Sequence, residues 1–213
     1  MMTQAEWLAI NEQRASIYQW FGSLFALEQT KEQLECYQNH QLDNLYAVFT
    51  ELGLSTEVNR FQKAMNNALQ DDSVVLELAA DFAQHFLLDD KVSTLPYASF
   101  YLEDGKLYGD VETKMKEFLE SNQLTISENF KEPADHLAIY LYLFAYWIRR
   151  SNYVNDQVTV SKEQSIFLEN GLLNWLPEFV EKSQKQKLKY DVYPSLSALL
   201  LAFIKIDLLL LKE

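Results

Sequence analysis

Apolar side chains recur every three or four residues along almost the whole sequence. The first such stretch runs from Trp7 to Phe25, and the last one ends at Leu211. This spacing places apolar side chains on one face of an α-helix. The sequence also contains only five glycines and four prolines in 213 residues, too few for a turn-dense β-sandwich. We therefore predict an all-α protein of about ten helices.

Two segments interrupt this helical pattern. Residues 88–110 carry a proline, two glycines and a run of aromatic side chains, which is typical of a functional loop. Residues 121–132 are mostly polar and lack a period. We predict an N-terminal helical subdomain over 1–120 that includes the 88–110 aromatic loop, a hinge at 121–132 and a C-terminal helical subdomain over 133–213. Proline at the first position of a helix needs no N–H partner, so a helix is expected to begin at Pro133.

The charge of the chain restricts its partners. With 18 basic and 31 acidic residues, the formal net charge is −13. Nucleic acids and anionic membrane surfaces attract basic proteins, so we predict neither as a partner. A basic partner, such as an arginine-bearing peptide, would be attracted. The alternative is that the charge only keeps the protein soluble.

The single cysteine, Cys36, excludes an intramolecular disulfide and is compatible with a reducing compartment. The first residues lack the basic and apolar regions of an export signal. The most apolar stretch, 197–211, is interrupted by Lys205 and Asp207 and is shorter than the ~20 residues that a membrane span needs. We predict a cytoplasmic protein without membrane insertion.

Motifs of catalysis and cofactor binding are missing from the sequence. It contains no glycine-rich phosphate loop. His40, His85 and His136 are far apart, and none belongs to a metal-binding array. We therefore predict no metal site and no cofactor.

One polar pair stands out, Asp135-His136. It could be an acid/base pair, a contact for a ligand or partner, or a helix cap in which Asp135 complements the positive helix end. In a helix starting at Pro133, adjacent side chains point about 100° apart, which makes a direct catalytic dyad geometrically poor.

A second candidate is the aromatic segment that contains Tyr97, Ser99, Phe100 and Tyr101. Aromatic side chains and a hydroxyl on a loop suit the recognition of an extended peptide. The alternative is a cluster that only attaches the loop to the core. Acidic residues precede this segment, and we take two of them as further candidate contacts, Asp71 and Asp81.

These two segments carry a family resemblance. Residues 76–105, followed by EPADHLAIYLYLFAYW, resemble the TorD family of redox-enzyme maturation chaperones, and the similarity extends over nearly the whole length. The Y-x-S-x-Y element of the family appears as Tyr97, Ser99 and Tyr101, with Phe100 before the last tyrosine. Its E-P-x-D-H-L element appears as Glu132, Pro133, Asp135, His136 and Leu137.

The resemblance implies an all-helical fold of two subdomains joined by a hinge, and a binding function without a reaction. The implied client is a molybdenum-cofactor reductase with a twin-arginine export signal, and the most similar group serves trimethylamine N-oxide reductase. Such a chaperone would bind the signal and the apo-enzyme in the cytoplasm and keep the enzyme competent for cofactor insertion before export. The residues of the two motifs are associated with client recognition in the family.

A twin-arginine signal joins two guanidinium groups to an apolar segment. Its receptor therefore needs carboxylates beside an aromatic groove. We predict Asp135 at the mouth of such a groove, His136 as an adjustable donor, and Tyr97, Phe100 and Tyr101 as its walls.

Two other functions stay open at this stage. One is a generic helical interaction module, and the other is a small hydrolase that uses Asp135 and His136, although no nucleophile or oxyanion hole is evident. A hinge also allows a homodimer in which two copies exchange subdomains.

Overall fold

Helices account for every regular element in the part of the chain that the structure describes. The computed structural model describes residues 3–154 and 156–212, and within them it has eleven α-helices, two π-helical turns and no strand. The all-α prediction is thus confirmed. The π-helical turns are Ala83–Leu87 and Leu168–Leu173. The α-helices are α1 (Gln4–Ala26), α2 (Lys31–Gln38), α3 (Asp43–Glu51), α4 (Ser55–Ala68), α5 (Val74–Phe82), α6 (Ala98–Leu102), α7 (Asp110–Ser121), α8 (Leu137–Ser151), α9 (Gln157–Phe167), α10 (Leu176–Gln184) and α11 (Val192–Lys212).

Local signals define several helix ends. Thr30 and Gln33 form a capping box at the start of α2, in which each side chain accepts the backbone N–H of the other residue. Gly53 follows α3 with φ of +81°, a left-handed conformation that glycine adopts without strain. The N–H of Leu54 then donates to the carbonyl of Phe49, as in a Schellman motif.

The contacts within the chain divide it into two units, and the first comprises Met1–Ala26 and Pro96–Trp175. Its main packing is that of α1 along α8. The two helices approach closely at Gly22, where an added Cβ would lie 3.2 Å from the Tyr142 ring. Among the buried polar contacts of this unit, Arg14 donates to Gln164 at 3.1 Å.

The second unit comprises Leu27–Leu95 and Leu176–Glu213. Here α11 packs against α4 and α10. Phe49 and Phe203 meet edge to face in the core, with ring centroids 5.7 Å apart. At the surface of this unit the Arg60 guanidinium donates two hydrogen bonds of 2.7 Å to the Asp191 carboxylate.

These units differ from the predicted halves. The segment 121–132 lies inside the first unit, and α1 belongs with α8 rather than with the helices that follow it in sequence. A helical period shows that a helix has an apolar face but not which other helix covers it, which explains the difference. The hinge role of 121–132 stays a prediction.

Two expected element boundaries were wrong. The 88–110 segment is not a loop throughout, because Phe100 and Tyr101 lie in the short helix α6. In addition, α8 begins at Leu137 and not at Pro133. Both differences from the prediction come from hydrogen bonds between residues 96–99 and residues 135–137, which are far apart in sequence.

The last helix is longer than expected. α11 has 21 residues and is long and apolar enough to cross a membrane by length and composition alone. Half of its most apolar window is buried inside the protein, and core helices of soluble proteins pass the same test. The absence of membrane insertion therefore stays a prediction.

Candidate functional site

The two sequence motifs lie side by side in the first unit. Tyr97 and His136 form an isolated antiparallel bridge. We call residues 96–101 and 132–137 together the clasp. Two backbone hydrogen bonds flank the bridge, from Ala98 N to Asp135 O (3.1 Å) and from Leu137 N to Pro96 O (2.8 Å).

Asp135 caps a helix to which it does not belong. Its side chain is fully buried, and Oδ2 accepts the backbone N–H of Ser99 at 2.7 Å, across 36 positions of sequence. Ser99 lies in the first turn of α6, where N–H groups have no partner within the helix. Burial raises the pKa of Asp135, and hydrogen bonds from Ser99 oppose that rise. The carboxylate therefore fixes the start of α6.

His136 caps the next helix. It is the N-cap residue of α8, and its Nδ1 accepts the N–H of Ala138 at 3.1 Å. The ring is only 4% exposed and packs edge-on against the rings of Tyr97 and Phe130, at 5.3 Å and 5.2 Å. Burial lowers the pKa of His136 to about 3, so the imidazole is neutral at physiological pH. The sequence left three roles open for this pair, namely an acid/base pair, a contact for a ligand or partner, and a helix cap. The geometry of the His136 ring shows a helix cap.

The third polar contact of the clasp joins Tyr97 to Glu132. The tyrosine hydroxyl donates to Oε2 of the glutamate at 2.5 Å. Burial, together with this carboxylate, raises the pKa of Tyr97 well above its ordinary value. Glu132 is half-buried, so its carboxylate is in reach of solvent.

Two glutamates that sequence reasoning missed support the clasp. Glu112 of α7 is buried, accepts the N–H of Ala134 at 3.4 Å, and pairs with Lys116 at 2.7 Å. Glu103 follows α6, and its Oε1 accepts the N–H of Asp110 at 2.8 Å, which caps α7. Neither residue belongs to a local capping signature, so no pattern in the sequence indicates these contacts.

Burial separates the predicted site residues into two groups. Phe100, Tyr101 and Glu132 are half-buried. The Tyr101 ring stacks on Trp175 with centroids 5.6 Å apart and 20° between the planes. The other group is buried and consists of Tyr97, Ser99, Pro133, Asp135, His136 and Leu137.

This arrangement corrects the predicted groove. Asp135 does not lie at a mouth, because it is fully buried on the Ser99 N–H. His136 is not the predicted adjustable donor at a groove, because its Nδ1 is held by the Ala138 N–H in a helix cap and the residue, with Nε2 as its remaining donor, is only 4% exposed. In the described contacts no hydrogen bond joins the two side chains, so the geometry of a hydrolytic Asp135/His136 pair is absent there. Each side chain is instead engaged by a different backbone N–H group, Asp135 by that of Ser99 and His136 by that of Ala138.

Asp71 and Asp81 belong to the second unit, where the same short segment engages both. The Asp81 carboxylate is buried and accepts the backbone N–H groups of Lys189 and Tyr190, at 2.9 Å and 2.8 Å. Asp71 accepts the Lys189 ammonium at 2.8 Å and the Tyr190 hydroxyl at 2.7 Å. The Lys189 ammonium and these hydrogen bonds lower the pKa of Asp71, whereas burial raises that of Asp81.

The first unit also contains a groove of about 1110 Å³ that sequence reasoning did not find. We call it the α7–α9 groove, because its walls come from α7, α8, α9 and the π-helical turn after α9. Several large apolar lining residues are well exposed, including Phe118 (41%) and Ile166 (46%). The lining residues are Phe118, Asn122, Leu124, Leu143, Tyr146, Trp147, Arg150, Ser151, Tyr153, Val154, Asp156, Thr159, Val160, Glu163, Ile166, Phe167, Asn170 and Gly171.

The part of the chain that the structure describes holds no cluster of three or more histidine, cysteine, aspartate or glutamate side chains suited to a metal ion. Cys36 is a free, half-buried cysteine.

Comparison with known proteins gives consistent results. The sequence profile of a family described as nitrate reductase delta subunit matches residues 51–181. The chain is 42% identical over 213 residues to the chaperone protein TorD of Psychrobacter sp. (strain PRwf-1), covering 97% of this chain and 95% of that protein. It is 39% identical over 204 residues to TorD of Vibrio parahaemolyticus (serotype O3:K6, strain RIMD 2210633), covering 93% and 94%. The chain belongs to the TorD chaperone family.

Other relatives extend the comparison. TorD of Actinobacillus pleuropneumoniae (serotype 7, strain AP76) is 37% identical over 201 residues, covering 94% of this chain and 97% of that protein. A crystal structure described as a candidate redox enzyme maturation protein of Archaeoglobus fulgidus covers 94% of both chains, with 17% identity and a TM-score of 0.48. The family profile and the TorD relatives confirm the TorD resemblance inferred from the two motifs. The chaperone names in the TorD family indicate a non-catalytic maturation protein.

Proposed function

We propose that this TorD-family protein is a dedicated cytoplasmic chaperone of a molybdenum-cofactor enzyme, trimethylamine N-oxide reductase. It binds the apo-enzyme and its twin-arginine signal, and it keeps the enzyme competent for cofactor insertion before export. The observation that carries this proposal is the 42% identity to a chaperone protein TorD over 97% of the chain. The net charge of −13 supports it, because a signal with paired arginines is attracted to an acidic protein.

Within the clasp, we assign client contact to the half-buried residues. Phe100 and Tyr101 offer aromatic surface to the apolar part of the signal, and Glu132 offers a carboxylate to an arginine. Asp135 and His136 act as positioning residues, since each caps a helix that carries or borders this surface.

The remaining motif residues shape the same surface from inside. Tyr97 orients the Glu132 carboxylate through its hydroxyl, and Ser99 provides the N–H that Asp135 accepts. Pro133 and Leu137 fill the buried side of the clasp.

In the second unit, Asp71 stays a proposed acidic contact for the client. Its side chain is 27% exposed, and the carboxylate already accepts the Lys189 ammonium and the Tyr190 hydroxyl. Asp81 contributes by fixing the backbone of Lys189 and Tyr190.

The test is isothermal titration calorimetry with a synthetic twin-arginine signal peptide of a trimethylamine N-oxide reductase. The control peptide has both arginines replaced by glutamine. Micromolar or tighter binding that falls at least about tenfold with the control peptide supports the proposal, since charge-assisted bonds to arginine supply that difference. Absence of binding to both the peptide and the purified apo-reductase would refute it.

A matched pair of variants tests the role of Glu132. Glu132→Gln keeps an acceptor for the Tyr97 hydroxyl but removes the charge, so we expect about fivefold weaker binding of the twin-arginine peptide. The glutamine peptide should bind this variant and the wild type equally. The control is Glu128→Gln, at an exposed position outside the clasp.

We also propose that copies of the chain can form a homodimer by exchanging the parts on either side of 121–132. Light scattering at two protein concentrations tests this, because an exchanged dimer formed at high concentration dissociates slowly on dilution. A monomer mass at both concentrations would exclude the dimer.

A further inference from the structure

The α7–α9 groove exposes more apolar surface than a folded chain normally leaves uncovered. Phe118, Val154 and Ile166 are between 41% and 46% exposed, and Tyr153 is 89% exposed. All four line one groove of about 1110 Å³. Contiguous exposed apolar surface of this kind marks a binding site for a protein, a membrane or a ligand. The groove is also larger than most small-molecule pockets, which favours a segment of polypeptide as its occupant.

The charges of the groove indicate the sign of that occupant. Glu163 is exposed and has no ion-pair partner among the described residues. Asp156 is already used, because its carboxylate caps α9 through the N–H and hydroxyl of Thr159. Arg150 is the one basic residue among the described residues of the lining; it donates to the Tyr146 hydroxyl at 2.9 Å, with its guanidinium 5.8 Å from the centre of that ring, and the two carboxylates outnumber its charge. The carboxylate of Glu163 is therefore available for a basic side chain.

Aromatic side chains in the groove suit the same kind of partner. Tyr146, Trp147 and Tyr153 line the same groove as Glu163. Aromatic rings attract guanidinium groups and also pack against apolar side chains. The lining of the groove therefore combines aromatic rings with the Glu163 carboxylate.

A local irregularity shapes the floor of the groove. The π-helical turn Leu168–Leu173 follows α9 directly and contributes Asn170 and Gly171 to the lining. The Gly171 carbonyl accepts the indole N–H of Trp175 at 2.8 Å, which holds this turn in place. Such single π-helical turns often occur at functional sites.

We infer that the α7–α9 groove binds the apolar segment of the client's twin-arginine signal, with a basic residue of the signal on Glu163. This inference rests on the proposed function and adds a second, mainly apolar binding surface to the clasp. The signal then contacts the first unit at two places of different chemistry, a polar one at Glu132 and an apolar one in the groove.

The first test compares two serine variants of the full-length protein. Ile166→Ser removes exposed apolar surface inside the groove, and Leu209→Ser does the same on α11, outside it. Both side chains are about half exposed, at 46% and 59%, so both variants are expected to fold. We expect Ile166→Ser to weaken binding of the twin-arginine peptide about tenfold, as judged by calorimetry, and Leu209→Ser to leave it unchanged. Equal affinities of the two variants would overturn the inference.

The second test reverses a charge. Glu163→Lys is expected to weaken binding roughly tenfold at low salt and less at high salt. Glu178→Lys, at an exposed acidic position on α10, changes the net charge by the same amount and serves as the control. An equal loss in both variants would show a general charge effect and would overturn the assignment of Glu163.

Hydrogen exchange distinguishes the possible failures. Binding in the groove slows amide exchange in α9 and the π-helical turn after it. If the wild type binds the peptide without this protection, the groove inference fails and the proposed function stands. If the wild type binds neither the peptide nor the apo-reductase, the proposed function itself fails. If Ile166→Ser changes only the mass of the protein in light scattering, the groove is an interface between copies and the inference is overturned.

Discussion

The clasp and the α7–α9 groove lie in the same unit and are built in opposite ways. In the clasp, Asp135 and His136 point inward, are 0% and 4% exposed, and satisfy backbone groups of other helices. In the groove, Phe118 and Ile166 point outward and are 41% and 46% exposed. The first region has a recognisable sequence motif, and the second has none.

This difference teaches how to interpret the motif. Asp135 and His136 each cap the start of one helix, so we expect their replacement to disturb the nearby surface and weaken binding without any direct contact with the client. An exposed groove residue can instead change binding while the fold stays as stable as before. Stability and affinity therefore have to be measured on the same variants, and four predictions follow this contrast from the largest effect to the smallest.

Asp135→Ala is expected to lower the free energy of unfolding by about 3 kcal/mol, because the buried N–H of Ser99 loses its acceptor and α6 loses its cap. Asp135→Asn keeps an acceptor and removes a buried charge, so its loss should stay below about 1 kcal/mol. Urea denaturation followed by circular dichroism measures both values at pH 7. Similar losses in the two variants would mean that side-chain shape, and not the hydrogen bond, matters at this position.

Acid should destabilise the protein through its buried imidazole. The pKa of His136 is lowered to about 3 in the folded state, below its ordinary value of 6.5. The unfolded chain therefore takes up the proton first, and stability falls as pH drops from 6.5 towards 3. At pH 5 the loss amounts to about 2 kcal/mol for this residue.

The histidine prediction is checked with His136→Asn, which keeps a side-chain acceptor at the N-cap position. Unfolding at pH 7 and pH 5 should show a smaller difference in this variant than in the wild type. His85 is also buried, with its pKa lowered to about 3 by burial, so part of the pH dependence remains. His40→Asn, at an exposed ring, is the control. An unchanged pH dependence in His136→Asn would contradict the prediction.

Gly109→Ala tests the support of the clasp by Glu103. An added Cβ would lie 2.0 Å from Oε2 of Glu103, so the carboxylate must leave its position at the start of α7. Loss of this cap should cost about 1 kcal/mol, seen as a lower melting temperature. At Gly171 in the groove an added Cβ meets its nearest atoms at 3.6 Å and 3.7 Å, which is ordinary contact. Gly171→Ala should therefore leave the melting temperature unchanged, and a decrease there equal to that of Gly109→Ala would argue against this mechanism.

The smallest effect on stability is expected in the groove itself. Tyr153→Ser should change the free energy of unfolding by less than about 0.5 kcal/mol, because this residue is 89% exposed, and Phe118→Ser by less than about 1 kcal/mol, because Phe118 is 41% exposed. The same urea titrations provide the measurement. A loss of more than about 2 kcal/mol in either variant would contradict the distinction between a buried clasp and an exposed groove, since the groove side chains would then belong to the core.

Sequence alone predicted those parts of the fold that depend on neighbours in the chain. The α2 start at Thr30 and Gln33 was recognisable because both partners of the capping box lie within four residues. Gly53 was recognisable because a left-handed residue after a helix favours glycine. The all-α class followed from the spacing of apolar residues every three or four positions, and the family followed from two short motifs.

What the sequence could not show depends on distant partners. The sequence predicts a helix start at Pro133, whereas α8 begins at Leu137, because the bridge to residues 96–98 holds Asp135 and His136 in a non-helical segment before it. Asp135 could not be recognised as the cap of α6, since 36 positions separate it from Ser99. The groove gathers side chains from three helices, none of which is unusual by itself.

The order of elements along the chain has a consequence for synthesis. α1 ends at Ala26, yet the helix against which it packs begins at Leu137. A ribosome needs on the order of ten seconds to make the intervening residues. During that time the apolar face of α1 has no permanent cover, while part of the second unit is already emerging. During its own synthesis this chaperone therefore exposes the apolar face of α1 until α8 has been made. Slow translation, or truncation of the chain before α8, should favour its aggregation.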